Sequence, residues 1–372
     1  MFTKRLFQRL TSPLALVPFM LGAGELALRA IDFEYPPPDE RGEVWTTADD
    51  RAMRHGKGFL EFDAKQLWKP KPGARLPWTK DERINAGGYR GPLVDEAARP
   101  GVVRIVTLGS CAAFGRGVPY EETYSAALER HLRERGVQAE VLAGGVVGTT
   151  IAQGVERYRE VFRAYKPDLV ISSFCGYKEH ESAPRFQCDG KRIEDWCRHP
   201  ARSPCRHHAW SPRRDLRIVQ LPIWILRVFD GTYWAEHSLD FEERRQRPQA
   251  KEYDAAVVRR VSLTEFREGL ESLEHDVRSD GGHLLVLDVP NNFSQIKQSP
   301  VIQMYGEELY QFSRREGLVH VNGREVIRRA AVNGVSTSDL FDAEGFPSAC
   351  SHELLAEALA DEIVAHLSEL SR

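Results

Sequence analysis

From Val102 to the carboxyl terminus, short apolar runs alternate with stretches of helical periodicity, and that alternation leaves few folds open. "VVRIVTLGS" is followed by "ETYSAALERHLRER", in which Tyr124, Leu128 and Leu132 recur at helical spacing. "AEVLAGGVVG" is followed by a helical stretch at 151–165 and then by "PDLVISSF". After a polar interval, a helix predicted over 263–279 leads to "HLLVLDVP", one over 304–316 leads to "LVHVN", and one over 352–370 closes the chain. Continuous apolar runs belong to strands buried on both faces. Strands alternating with helices form βαβ units. The expected fold is α/β, a three-layer α/β/α sandwich with a mostly parallel sheet. Its ligands would bind beyond the carboxyl ends of the strands, at "GSCAAFG", "GGVVGTT", "SFCGYKEH" and "VPNNF".

The amino terminus follows a different rule. Lys4, Arg5 and Arg9 precede the apolar run "PLALVPFMLGA", which Glu25 interrupts and "LALRAI" continues to Ile31. Leu10 to Ile31 reaches the roughly 20 residues a bilayer span needs, with Glu25 and Arg29 near its outer end. No small-x-small cleavage site follows, so residues 1–31 are expected to be an uncleaved signal-anchor. Its basic flank would be cytoplasmic and the rest exported, on the periplasmic or extracellular side. The alternative is a buried amphipathic helix of a cytosolic protein. Residues 32–100 read as a linker, "EYPPPDERGE", and a small pre-domain holding "KPKPGARLPW" and "INAGGYRGP". With 51 basic against 54 acidic residues, and 42% hydrophobic content, the chain is neither a polytopic membrane protein nor a dedicated nucleic-acid binder.

The six cysteines are Cys111, Cys175, Cys188, Cys197, Cys205 and Cys350. Cys188, Cys197 and Cys205 fall in a polar insertion at about 181–250, with His199, His207 and His208 close by. In an exported protein this predicts a disulfide-stapled loop. The spacing lacks the tight cysteine pairs of zinc modules. Residues 216–229, "LRIVQLPIWILRVF", are flanked by Arg213, Arg214 and Arg217. They read as an interfacial membrane helix or as an ordinary helix capping the core.

The carboxyl-end segments carry a resemblance. "RIVTLGSCAAFGRGVPYEETYSAALERHL" resembles the first block of the SGNH/GDSL hydrolase family, "EVLAGGVVGTTIAQG" its second and "KPDLVISSFCGYKEH" its third. "FPSACSHELLAEALADEI" resembles the final histidine block, and "INAGGYRGP" the lead-in of membrane-anchored members. The resemblance implies a flavodoxin-like sandwich over 101–372 and an activity of ester hydrolysis or acyl transfer on acylated glycans or lipids. It implies no cofactor and no metal.

Carried over position by position, the resemblance puts Cys111 at the nucleophile and Gly148 at an oxyanion N–H. The alternative is that Gly144, Gly145 and Gly148 serve only to allow a tight strand-to-helix turn. Ser110 stands at the aspartate of Gly-Asp-Ser, where its hydroxyl is expected to cap the following helix. Tyr177 or Lys178 stands where the family has its oxyanion asparagine. Phe346 occupies the position of the catalytic histidine. Asp342 precedes it by four residues, whereas the family's spacing of three lands on Ala343. His352 matches a helix residue beyond the catalytic one. Cys111, Cys175 and Cys350 fall in blocks whose loops converge, as a disulfide, a metal site or a thiol pocket, or with Cys175 and Cys350 as small buried apolar residues. Two functions follow. One is an esterase or acyltransferase working through Cys111. The other is a catalytically inactive SGNH-fold binding or scaffold protein of the cell envelope.

Overall fold

The computed structural model describes residues 13–31, 33, 58–97, 99–176, 178–179, 189–198, 216–229, 259–289, 300–343 and 345–366. Along the chain, helix α1 (Pro13–Ala30) precedes a hairpin of β1 (Leu60–Asp63) and β2 (Leu67–Pro70). Then come β3 (Val103–Gly109), α2 (Cys111–Phe114), α3 (Tyr124–Glu134), β4 (Ala139–Ala143), α4 (Ile151–Arg157) and β5 (Leu169–Ser173). Helices α5 (Asp189–Arg198), α6 (Arg217–Phe229) and α7 (Leu263–Ser279) lead to β6 (His283–Leu287) and α8 (Pro300–Glu316). Strand β7 (His320–Val321) and helices α9 (Gly323–Val332), α10 (Thr337–Leu340) and α11 (Ala349–Ala365) complete it. The chain divides into two compact units, Met1–Val44 with Arg206–Pro248, and Trp45–Cys205 with Gln249–Arg372.

The larger unit is built on a sheet of order β4-β3-β5-β6-β7, all parallel. Strand residues alternate between two cores. Ile105, Val141, Ile171 and Leu285 face Leu128 and Leu132 of α3 and Leu355, Leu359 and Ile363 of α11. Val106, Leu142, Val170 and Val286 face Ile151 of α4, Phe266 and Leu270 of α7, and Leu309 and Phe312 of α8. Both faces of the sheet are covered, so the expected three-layer α/β/α arrangement with a parallel sheet is present. Chain direction across the sheet reverses beside β3, which opens a crevice at the carboxyl ends of β3 and β5.

Several boundaries differ from the sequence reading for local reasons. Helix α11 begins at Ala349, not at 352, because the Ser348 hydroxyl caps it by accepting from the Ser351 N–H. The helix expected over 151–165 is α4, then a wider π turn at Tyr158–Phe162 and a tight turn at Arg163–Tyr165. Lys166 leaves it at φ 48, and Pro167 bars a helical continuation. Residues 58–97, read as a pre-domain, belong to the larger unit.

Two buried arginines tie that lead-in to the sheet. At the amino end, Arg104 donates to the carbonyls of Asp95, Glu96, Ala97 and Tyr165 and to Glu140. At the carboxyl end, Arg90 of "GYRG" makes a two-point pair with Glu82, at 2.6 and 2.7 Å. It also donates to the carbonyls of Phe114 and Gly115, both at 2.6 Å, and of Val118 at 2.9 Å.

In the smaller unit, α1 meets α6 at Gly24, where a Cβ would lie 2.9 Å from Ile218 Cδ1. Glu25 accepts from the Ile218 N–H at 2.8 Å, the Arg217 guanidinium donates to the Phe33 carbonyl, and Phe33 sets its ring edge-on to Trp224. No described helix is long and apolar enough to cross a membrane. The disulfide loop and histidines 199, 207 and 208 lie outside the described residues except for Cys197, which is an exposed free thiol.

Replacing Arg90 by Ala removes five donors from a buried site and leaves three carbonyls and Glu82 behind. The Arg90→Ala chain should lose about 3 kcal/mol or more of unfolding free energy, measured by urea denaturation followed by far-UV circular dichroism.

Candidate active site

Strand β3 ends at Gly109, where packing admits no side chain, since a Cβ there would lie 2.2 Å from Ser173 Oγ. The chain turns through Ser110 into α2, placing Cys111 at the helix start. Cys111 is 4% exposed. Ser110 occupies the cap position, but its hydroxyl makes no bond to the helix amides, contrary to expectation. It points instead to the Cys111 sulfur, at 3.7 Å. The cap conformation, φ −90 and ψ −142, aims the side chain away from the helix end.

The loop after β4 brings Gly148 to this point. Gly148 has φ 76, a left-handed conformation that glycine adopts without strain. Its N–H donates to Cys111 Sγ at 3.3 Å. The loop is held from several sides. Val146 N–H donates to the Gly109 carbonyl, Trp68 Nε1 to the Val147 carbonyl and Arg260 Nη1 to the Gly148 carbonyl, at 3.0, 3.0 and 2.9 Å. Gly145 lies flat on α2, for a Cβ there would sit 2.4 Å from the backbone of Ala113 and Phe114. The two positions that the block resemblance pairs, Cys111 and Gly148, are in contact.

Behind Gly148 lies a buried charge network. Arg260 donates to Asp189 Oδ2 through Nε and Nη2, at 3.1 and 2.8 Å, and to Gln153 Oε1 at 3.1 Å. Asp189, fully buried, also accepts from Thr150 Oγ1 at 3.0 Å and from Arg192 at 3.1 Å. Glu179 caps α4 by accepting the Ile151 N–H at 3.0 Å, and its other oxygen takes the Lys178 N–H at 3.2 Å. Burial pushes the Glu179 carboxyl up to about 7, against the pull of those amides.

The remaining expected residues are not at the sulfur. Among the described residues, its hydrogen-bond partners are the Gly148 N–H and the Ser110 hydroxyl, and neither is a base. Asp342 is exposed and accepts the N–H of Phe346 at 2.8 Å, within its own turn. The Phe346 ring lies under the Arg116 guanidinium, 4.7 Å from the centroid. His352 is fully buried and stacked on Tyr124, whose N–H donates to Nδ1 at 3.2 Å. Burial, with the charge of Arg90 as a smaller cause, pushes His352 down to about 3. Lys178 enters the site through its backbone, and Tyr177 lies outside the described residues.

The three cysteines of the converging blocks are free thiols. Cys175 is buried and donates to the Val289 carbonyl, and burial raises it to about 12. Cys350 is exposed at the start of α11, so it is not a buried apolar residue. No group of three His, Cys, Asp or Glu among the described residues could hold a metal.

This arrangement can offer a hydrogen bond to a group at the sulfur; among the described residues, no carboxylate or imidazole is hydrogen-bonded to it. The sequence reading missed Arg90, Arg260, Asp189 and Glu179. For Arg90 a signal was present, a charged residue inside the glycine-rich turn "GGYRG". The other three act across long sequence separations and left none.

No family model and no curated protein sequence matches the chain. Among solved structures it is similar to an acetylxylan esterase from Geobacillus stearothermophilus, at 15% identity over 70% of this chain and 94% of that one, TM-score 0.42. It is similar to TesA at 14% identity over 72% and 99%, TM-score 0.41. A protein described as lipolytic and of the G-D-S-L family, from Desulfitobacterium hafniense, matches at 13% over 70% and 98%, TM-score 0.40. The α/β architecture described above rests on the sheet itself.

His352 and Glu179 give stability opposite pH dependences. His352 folds at about 3 against roughly 6.5 unfolded. The unfolded chain therefore binds the extra proton in that window, and stability falls as pH falls through it. Glu179 sits at about 7 in the folded chain, above its ordinary 4.5, so its contribution is intact below 4.5 and is lost as pH rises to about 7. In urea titrations, His352→Gln should gain midpoint relative to wild type at pH 4 more than at pH 7. Glu179→Gln should gain more at pH 8 than at pH 5.

Proposed function

We infer that this chain is an SGNH-type α/β protein of the cell envelope that binds an acylated glycan or lipid without turning it over. On this reading it is exported, tethered through residues 1–31, and acts as a binding or scaffold protein. The observation that carries it is the surroundings of the Cys111 sulfur. A backbone donor is aimed at it from Gly148, yet no described carboxylate or imidazole is hydrogen-bonded to it. The final block supports the same reading. Phe346 stands where the resemblance puts the general base, and the nearby His352 is sealed in the core. Loss of one triad member costs several orders of magnitude in rate, and here the positions of the base and the oxyanion amide are both changed.

One observation favours a second reading, thiol-dependent acyl transfer, because the Gly148 N–H reaches the sulfur itself. The two separate in a single assay. With p-nitrophenyl acetate, the wild-type chain should show turnover indistinguishable from Cys111→Ala, and Phe346→His alone should restore none. Turnover that rises with thiolate formation and vanishes in Cys111→Ala would establish the thiol reading instead. Turnover that survives Cys111→Ala would defeat both and place the chemistry elsewhere.

A further inference from the structure

Helix α6 is patterned inside out. Its buried positions include Arg217 and Gln220, the polar residues of its first turns. Among its described side chains the exposed ones are Pro222, Ile225, Leu226 and Phe229, at helical spacing. Leu226 is 67% and Phe229 85% exposed. A surface helix in water shows the reverse arrangement, and a contiguous apolar stripe marks a surface that meets something other than water.

The neighbouring helix says what that is. On α1, Phe19 and Leu26 are exposed as well. The polar contacts of the pair gather at the end of α1 that leads away from the basic amino terminus. There Glu25 takes the first free N–H groups of α6, at Ile218, and pairs with Arg29 at 2.8 Å. Trp224 and Phe33 meet just past the same end. Aromatic side chains at the end of an apolar segment are characteristic of a membrane–water boundary. The sequence entering α6 carries Arg206, Arg213 and Arg214 against Asp215 alone, which suits anionic headgroups.

We propose that α6 is a second membrane-binding element, lying in the headgroup region of an anionic phospholipid bilayer beside the point where α1 emerges. The inference rests on the reading of residues 1–31 as a tether. Glu25 is the joint between the two. The charge that interrupts the apolar run is placed where it satisfies the amino-terminal amides of α6. The apolar stripe faces the acyl chains.

The test uses the full chain in vesicles of phosphatidylcholine and phosphatidylglycerol, with a trace of phospholipid bearing a diazirine in its acyl chain. After irradiation, lipid adducts are mapped by peptide mass spectrometry. Adducts are expected in the peptides of both α1 and α6. Leu226→Asp with Phe229→Asp should cut the α6 adducts about tenfold or more while leaving those of α1 unchanged. Vesicles of phosphatidylcholine alone should give severalfold fewer adducts on α6, and equal labelling there would overturn the anionic preference. Adducts confined to α1 would overturn the proposal and leave the tether standing. Adducts on α6 alone would sustain α6 and overturn the tether. Adducts on neither would overturn both. A chain that is dimeric in the vesicles, unlabelled on α6, and made monomeric by the double substitution would assign the stripe to a second copy and overturn the proposal.

Discussion

A guanidinium carries five donors and no acceptor, so a fold can bury one only by surrounding it with acceptors. The site is built on two such burials. Arg90 gathers three carbonyls from the loop behind α2 and is neutralised by Glu82. Arg260 takes the carbonyl of Gly148 and is neutralised by Asp189. Each half of the Cys111–Gly148 pair therefore hangs from one arginine. Each arginine comes from a segment outside the strand that it steadies. The geometry at the sulfur is fixed by charges that never reach it.

The same packing sets the frame around Cys111 and Gly148. Gly109, Gly145 and Gly148 are demanded by packing and backbone angle, since a side chain at 109 or 145 would strike Ser173 or α2. Those demands hold whether or not any bond is made or broken at Cys111. Phe346 fills its place under Arg116, at the surface of a turn closed by Asp342.

The layers were legible because buried parallel strands announce themselves as unbroken apolar runs, as in "RIVTLG" and "LVISS". What stayed hidden was polar and nonlocal. Arg260 bonds to Asp189, 71 positions away, and to Gly148, 112 positions away, and no periodicity encodes such a pair. The hairpin β1–β2 was hidden differently. Its strands are four residues each and joined through Leu67 at φ 61, so no turn glycine marks it. Ser110 misled because its residue type suits a cap, while its ψ turns the hydroxyl toward the sulfur.

The bond between Glu25 and the Ile218 amide spans 193 positions, and that distance is also a delay. At about 5–20 residues per second, roughly 10–40 s pass between the synthesis of α1 and the arrival of its partner. Through that interval the Glu25 carboxylate lacks the amides that will hold it. The helix begins life with Glu25 held by Arg29 of its own turn alone, and completes its polar contacts only when more than half of the chain has been made.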